Sequence, residues 1–263
     1  MSKIEAFLPY PLAKKTRQAL HFGPRRCPVC GSRIRKYRDA GYGFEVLERL
    51  QVVGGMKRGS NRCPVCLATS RERLVWFWLS DAGKGFRLGH GITTAHFAPE
   101  RGLSKRLIEN SQTYSAFDLD PAIYGHVSDV RKADLSDLSH LPQEHFDLVV
   151  CNHVIEHVPD VNLALTQLLS IMKNGATAIV QVPISMKLET SIELALDSTE
   201  AERIEKVGQH DHLRLMTRSD YVEHLQKAGF AVEEYDAFED QPQAALRWAL
   251  DPFEILFVVR KPL

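Results

Sequence analysis

The chain has 263 residues, 44% of them hydrophobic and 25% charged, and a formal net charge of zero. These are the proportions of an ordinary globular protein with room for one large domain and a small one. No apolar run approaches the ~18 residues needed to span a bilayer, and the N-terminus lacks a signal peptide's apolar core, so a cytoplasmic location is expected. The zero net charge conceals an asymmetry. Residues 1–80 carry 16 Lys and Arg against 5 Asp and Glu, and the remainder 17 against 28. A basic module is joined to an acidic one: either the two attract each other, or the basic one meets an anionic partner.

Residues 1–26 show no clear period, although 12–22 suit a short helix. Cys27-Pro-Val-Cys30 and Cys63-Pro-Val-Cys66 follow. Each is a tight turn that presents two thiolates to one ion, with backbone N–H groups aimed at the sulfurs. Two such knuckles supply the four soft ligands of a closed tetrahedral zinc site and leave no open position for catalysis. The five cysteines are therefore not a secreted disulfide framework. The spacing between knuckles is longer than usual, so residues 31–62 are expected to fold as strands or loops of their own, punctuated by Gly41, Gly43, Gly54, Gly55 and Gly59. From Ser70 to Asp81, Leu74, Val75, Phe77, Trp78 and Leu79 mark a joining helix, its aromatics suited to packing rather than to stacking on bases. The expected division is a basic zinc-ribbon module over 1–82 and a second domain over 83–263, beginning near Gly85.

The second domain opens with a short strand, Thr93 to Phe97, the loop Ala98-Pro-Glu-Arg-Gly102 and a helix over 103–109. A second strand, Thr113 to Phe117, ends in Asp118-Leu119-Asp120-Pro. An acid at such a tip can accept both hydroxyls of a ribose, with Asp118 placed ahead of Asp120. A strand-like stretch over 125–131 leads to Ala133-Asp134-Leu135. Then comes the run 146–160, Phe-Asp-Leu-Val-Val-Cys-Asn-His-Val-Ile-Glu-His-Val-Pro-Asp. Phe146 and Leu148 to Cys151 read as a buried strand of a parallel sheet, which breaks into a polar burst of Asn152, His153, Glu156 and His157. Ligands sit beyond the carboxyl ends of such strands. Pro159-Asp160 opens an amphipathic helix that stops at Lys173-Asn174-Gly175, and a strand from Ala178 to Val182 closes the βαβ unit. A polar helix is expected over 188–207, followed by Gln209-His-Asp-His212-Leu-Arg214. Thr217 to Asp220 then caps a helix over 221–228, and strands at 231–235 and 254–260 end the chain as an antiparallel hairpin.

The 146–160 run, with its helix and glycine corner, resembles the middle of a class I S-adenosylmethionine-dependent methyltransferase. The likeness is closest to the branch that includes the ubiquinone-biosynthesis methyltransferases, and it covers residues 90–260. It implies an α/β fold: a Rossmann-like, seven-stranded, mostly parallel sheet behind the ribbon, with S-adenosylmethionine as methyl donor and S-adenosylhomocysteine as product. In that family the first loop carries GxGxG. Here Gly102 remains while Ala98 and Glu100 stand at the other places, as in a subfamily where H-F-A-P-E is coupled to a C-P-x-C ribbon. The resemblance places Ala98, Glu100, Asp118, Leu119, Asp134, Leu135 and Asn152 around the cofactor. Glu100 would face its α-amino group, Asp118 its ribose, and Asp134 its adenine amino group, with a backbone N–H from Leu135. The implied acceptor is an oxygen or nitrogen of a small-molecule or saccharide-like compound in a biosynthetic pathway.

His153-x-x-Glu156-His157 also matches the H-x-x-E-H signature of an inverted zinc protease. That motif needs a long continuous helix, whereas this one lies between a buried strand and Pro159. Positions 153, 156 and 157 are expected to share one face of a helical turn. Three roles stand open: a histidine base for the acceptor's proton, a divalent-cation site formed by His153, Glu156 and His157 with His212, or a hydrogen-bonded brace of the loop. Two rival functions stand beside methylation of a small molecule. One is an RNA methyltransferase whose basic ribbon tracks phosphates, against which no N-P-P-Y motif follows the strand. The other is a non-catalytic binding protein with an eroded loop.

Overall fold

The structure, a computed structural model, describes residues 10–82, 88, 89 and 91–263. The expected start of the second domain, near Gly85, lies outside the described residues. Seven strands form one sheet and are numbered along it in chain order: β1 (Thr93–Phe97), β2 (Thr113–Asp118), β3 (Val130–Lys132), β4 (Phe146–Asn152), β5 (Met172–Gln181), β6 (Ala231–Tyr235) and β7 (Leu256–Arg260). Their spatial order is β3-β2-β1-β4-β5-β7-β6. Neighbours run parallel except at β7, which is antiparallel to both β5 and β6. The chain winds outward from β1 in one direction and from β4 in the other, so a ligand crevice opens where their carboxyl ends diverge. No helix among the described residues is long and apolar enough to cross a membrane.

Strand β4 shows why this sequence needs two covering layers. Val149 and Cys151 face a core shared with Val161, Leu165 and Leu168. Leu148 and Val150 face a second core containing Leu74, Val75, Phe77 and Trp78. The first set belongs to the helix Val161–Ile171, the second to the helix Ser70–Phe77 and its π-helical continuation Trp78–Ala82. The joining helix is thus part of the sheet's own packing, in line with its apolar spacing.

The two knuckles are the same turn built twice. Cys27 N–H donates to Ser32 O at 2.9 Å and Gly31 N–H to Cys27 O at 2.8 Å; Cys63 N–H donates to Ala68 O at 2.8 Å and Leu67 N–H to Cys63 O at 3.0 Å. Gly31 and Leu67 hold the same left-handed position, with φ of 71° and 70°. Between them lie short strands, as expected, and also a helix, Glu45–Arg49, which is not. The module is fastened to the sheet domain. Val52–Val53 pairs antiparallel with Ile184–Ser185, and Arg106 donates to the knuckle carbonyl of Val29. Arg73 donates to Trp248 O (2.9 Å) and Ala249 O (2.6 Å).

Several expected boundaries shift. The helix after Asp160 ends at Ile171, not at Lys173-Asn174-Gly175, because Met172 is already extended and pairs with Phe146. Lys173 instead binds Asp147 at 2.8 Å, and Gly175, with φ of 76°, sits where the strand register slips. Of 125–131, only Val130 and Arg131 join a strand, since Asp129 turns left-handed at φ 59°. The helix expected over 188–207 is confined to Glu200–Val207, where Thr199 and Glu202 form a capping box; upstream, Ile192–Glu193 pairs with Arg214–Leu215.

Candidate active site

The loop after β1 makes the bend that a glycine would make easily. Ala98 has φ of 48°, a left-handed conformation costly for alanine, and its N–H donates to Phe117 O at 2.9 Å. Gly102 persists for a different reason. A Cβ there would lie 2.6 Å from Ala68 Cβ and 2.6 Å from Glu72 Oε1, so this glycine lets the helix Arg101–Asn110 touch the N-terminal module. Its N–H donates to Glu72 Oε1 at 3.1 Å.

Glu100 turns inward. Its Oε2 lies 2.6 Å from His96 Nε2, and its Oε1 accepts from Asn152 Nδ2 at 2.9 Å. His96, fully buried, has its Nδ1 2.9 Å from the Tyr114 hydroxyl. Burial opposes the charge on Glu100, but His96, Arg71 and Asn152 outweigh it and hold the carboxyl below its ordinary value. Both carboxylate oxygens are therefore engaged, tying the β1 loop to the tip of β4. Asn152 Oδ1 is left buried with no partner.

Asp118 ends β2. Its Oδ1 accepts from Asp120 N–H at 2.8 Å and its Oδ2 from the Tyr124 hydroxyl at 2.7 Å. Burial, and then that bond, push the Tyr124 phenol up, so it remains a donor. Leu119 is 61% exposed beside it. Asp134 is exposed and accepts from Ser136 N–H at 2.8 Å, while the Leu135 side chain is buried in the core. Ala133 N–H donates to Asp118 O at 2.9 Å, which brings this pair beside the β2 tip. Ala98, Glu100, Asp118 and Asn152 thus lie at the carboxyl ends of β1, β2 and β4, with Asp134 and Leu135 just beyond β3.

The turn after β4 differs from a helical face. His153 is left-handed at φ 55° and only Ile155–His157 make a short 3-10 turn, so positions 153, 156 and 157 do not share a helix side. The left-handed step arises because His153 N–H reaches across to Gln181 O at 2.7 Å. Glu156 gathers the histidines nonetheless. His153 Nδ1 is 3.1 Å and His212 Nε2 3.9 Å from its Oε1, ion-pair distances that fall outside hydrogen-bond geometry and leave both Glu156 oxygens unpartnered. Burial opposes the Glu156 charge, but the three histidines hold its carboxyl down to about 2. Burial lowers His212 to about 4, and burial with Arg71 lowers His153, so both are neutral at pH 7. His157, one-third exposed, points Nδ1 at Asp211 O (3.1 Å), its ring edge-on to His212 at 4.7 Å. Ligand atoms of Glu156, His157 and His212 lie within 4.8 Å of one another, and His153 stands outside that set.

One strand farther on, a cavity of about 860 Å³ opens beyond β5 and β7. Gln181, Val182, Glu254 and Phe257 form its floor, the helix Arg218–Lys227 one wall, and Val53 of the N-terminal module contributes to its rim. Glu254 is buried there, and burial pushes its carboxyl up to about 7. Sequence reasoning missed Glu254 and Arg71. The first looked like the start of an apolar strand and the second like an ordinary basic residue of a helix, and no spacing signal marked either.

A family model described as a methyltransferase domain matches residues 88–235. The ubiquinone biosynthesis O-methyltransferase of Rhodopseudomonas palustris (strain BisB5) is 34% identical over 112 residues, covering 42% of this chain and 43% of that protein. The chain therefore matches less than half the length of that curated relative. Among solved structures, the cyclase SpnF aligns over 87% of this chain and 99% of its own, with TM-score 0.52 and 12% identity. An S-adenosylmethionine-dependent methyltransferase from Mesorhizobium loti aligns over 66% and 92%, with TM-score 0.45 and 17% identity. At such identities the SpnF likeness speaks for the fold alone.

Proposed function

The chain belongs to the methyltransferase-domain family, and on that premise we propose that it moves a methyl group from S-adenosylmethionine to an oxygen or nitrogen of a small-molecule acceptor. The observation that supports this most is the placing of Glu100, Asp118 and Asn152 at the carboxyl ends of β1, β2 and β4, with the cavity one strand farther on. Asn152 of β4 is in register with Gln181 of β5, which lines the cavity floor. Donor and acceptor would thus lie over neighbouring strand tips.

The residues present suit such a cofactor. Left-handed Ala98 permits close backbone approach, and the orphaned Asn152 Oδ1 is an acceptor awaiting a donor. Asp118 would take the ribose hydroxyls, Asp134 and the Leu135 N–H the adenine edge, with Leu119 flanking it. S-adenosylmethionine, when bound, supplies a methyl group already activated on a sulfonium, so the chain's own work is positioning and proton removal. His157 is suited to hold the acceptor's proton, being the most exposed histidine of its cluster, with Glu156 and His212 behind it. Those three could instead hold a divalent cation that lowers the acceptor's pKa.

In the N-terminal module, Cys27 and Cys66 sulfurs are 3.9 Å apart and Cys30 and Cys63 sulfurs 4.0 Å. Tetrahedral zinc with Zn–S of ~2.3 Å spaces its sulfurs by ~3.8 Å. The proposal assigns one structural zinc to this set, and elemental analysis finding none would contradict it. Calorimetric titration with S-adenosylhomocysteine tests the wider reading: saturable one-to-one binding is expected, and no heat at millimolar ligand would refute it.

A further inference from the structure

The cavity beyond β5 and β7 has apolar walls, among them Val182, Val222, Phe253 and Phe257, and three carboxylates line it against one guanidinium. Two of those carboxylates are already paired, Glu234 with Arg218 and Glu223 with Lys227 at 2.6 Å. Glu254 is not. It is 6% exposed, and no cation among the described residues forms an ion pair with it. Arg71 and Arg73 favour its charge only from a distance. Arg73 is saturated by Asn61 O, Trp248 O and Ala249 O, and Arg71 spreads its influence over Glu72 and Glu100 as well. Gln181, beside Glu254, already donates to Ile255 O at 2.9 Å and accepts from Phe257 N–H at 2.6 Å.

A buried carboxylate without a counter-charge keeps its desolvation cost, and burial pushes this carboxyl up to about 7. A cation carried in by a ligand would lower that cost, whereas an anion would raise it. With Arg218 tied to Glu234, no lining cation is left free to repel an ammonium. The apolar walls suit an apolar body behind the charge, and about 860 Å³ leaves room for one. Placement limits what the cation can do. Ile179 pairs with Val258, so the start of β7 lies against the end of β5, and Glu254 stands two strands away from Asn152. That is roughly 10 Å at the usual strand spacing. An amine held there as an ammonium has no lone pair and takes no methyl group.

We propose that Glu254 anchors a protonated amine of the acceptor, so that the chain selects amphipathic, amine-bearing compounds and methylates a second group of the same molecule, nearer the tip of β4. This rests on the methyltransferase reading above and narrows its acceptor. Glu254 is then a specificity residue, and the cavity's surplus of carboxylate has a use.

The test uses two probes of one shape, 2-phenylethylamine and 2-phenylethanol, titrated against the full chain by ligand-observed NMR at pH 8, where the first is still a cation. The wild type should bind the amine at least 10-fold more tightly. Glu254→Gln, which keeps the shape and removes the charge, should weaken the amine roughly 10–100-fold, the usual worth of a charge-assisted bond, and leave the alcohol within twofold. Glu254→Asp should recover part of the loss. Equal affinity of the wild type for the two probes, binding of neither, or equal weakening of both in Glu254→Gln would overturn the anchor. Tighter binding of the alcohol would also overturn it and make Glu254 a protonated donor to an oxygen. S-adenosylhomocysteine is titrated into the same samples by calorimetry. Lost amine selectivity with that ligand still bound refutes the anchor alone, whereas failure of that ligand to bind would overturn the proposal through the methyltransferase reading beneath it.

Discussion

Two clusters of histidine and glutamate sit at the sheet's carboxyl edge and differ in how well they are satisfied. In the first, Glu100 uses both oxygens on His96 and Asn152, and His96 uses both ring nitrogens. In the second, Glu156 has neither oxygen in a hydrogen bond, and His153 Nε2 and His212 Nδ1 are likewise unpartnered. A closed network of buried polar groups stiffens the fold, whereas an open one keeps binding capacity in reserve at a cost in stability. The contrast is one of degree: the Glu100 cluster keeps a single orphan, Asn152 Oδ1, and also lies at the proposed cofactor site, whereas the Glu156 cluster keeps several. The Glu100 cluster positions the loop that leaves β1, and the Glu156 cluster has groups free to meet an acceptor or a cation.

The largest expected effect falls on the open cluster. His157→Ala should lower turnover roughly 10²–10⁴-fold, the usual size of general-base help, with cofactor affinity nearly unchanged. If the cluster holds a cation instead, a chelator mild enough to spare the cysteine site should abolish wild-type activity, and Mg²⁺ or Mn²⁺ should restore it. A variant with normal turnover and only a lower Tm would make this cluster a second brace and erase the contrast.

Breaking the closed cluster should show chiefly as lost stability. Glu100→Ala leaves buried His96 and Asn152 without their partner, and denaturant unfolding should report a loss of about 3–5 kcal/mol. A loss below ~1 kcal/mol would show that Glu100 braces nothing.

The smallest effect concerns Glu254, between the two clusters and the cavity. Burial raises its carboxyl from 4.5 to about 7 in the folded chain. The stability it contributes is complete below pH ~4.5 and is lost as pH rises through 7, by up to about 3 kcal/mol. The groups facing it are Arg71, Arg73 and Asp251, the last paired with Arg58. His212, lowered to about 4, acts oppositely over the same window, so only the difference from Glu254→Gln isolates the effect. That variant should melt with the wild type at pH 5 and a few degrees above it at pH 8. Parallel melting curves at both pH values would refute the assignment.

Much of this arrangement was legible in the sequence, for identifiable reasons. The strand Phe146–Asn152 and its polar exit stand out because a strand buried on both faces is apolar throughout, and its last residues change character at once. The cysteine pairs show because metal ligands keep a fixed local spacing. The Glu100 brace was hidden, since His96 and Tyr114 look like any residues of short strands and meet Glu100 only through parallel pairing. The turn at His153 was misjudged because its left-handed step depends on Gln181, a neighbour across the sheet. Arg71 and Glu254 were invisible for the same reason: each is defined by what surrounds it, from segments far apart in the chain.

The claim on which the rest depends is that the crevice between β1, β2 and β4 receives the methyl donor. Affinity for S-adenosylhomocysteine, measured in parallel for the wild type and Asp118→Ala, tests it most directly. Asp118 lies at the tip of β2, and its bonds to Asp120 and Tyr124 leave lone pairs for two ribose hydroxyls. The account predicts a roughly 10–150-fold loss of affinity with the unfolding transition little changed. Equal affinity in the two proteins would contradict it.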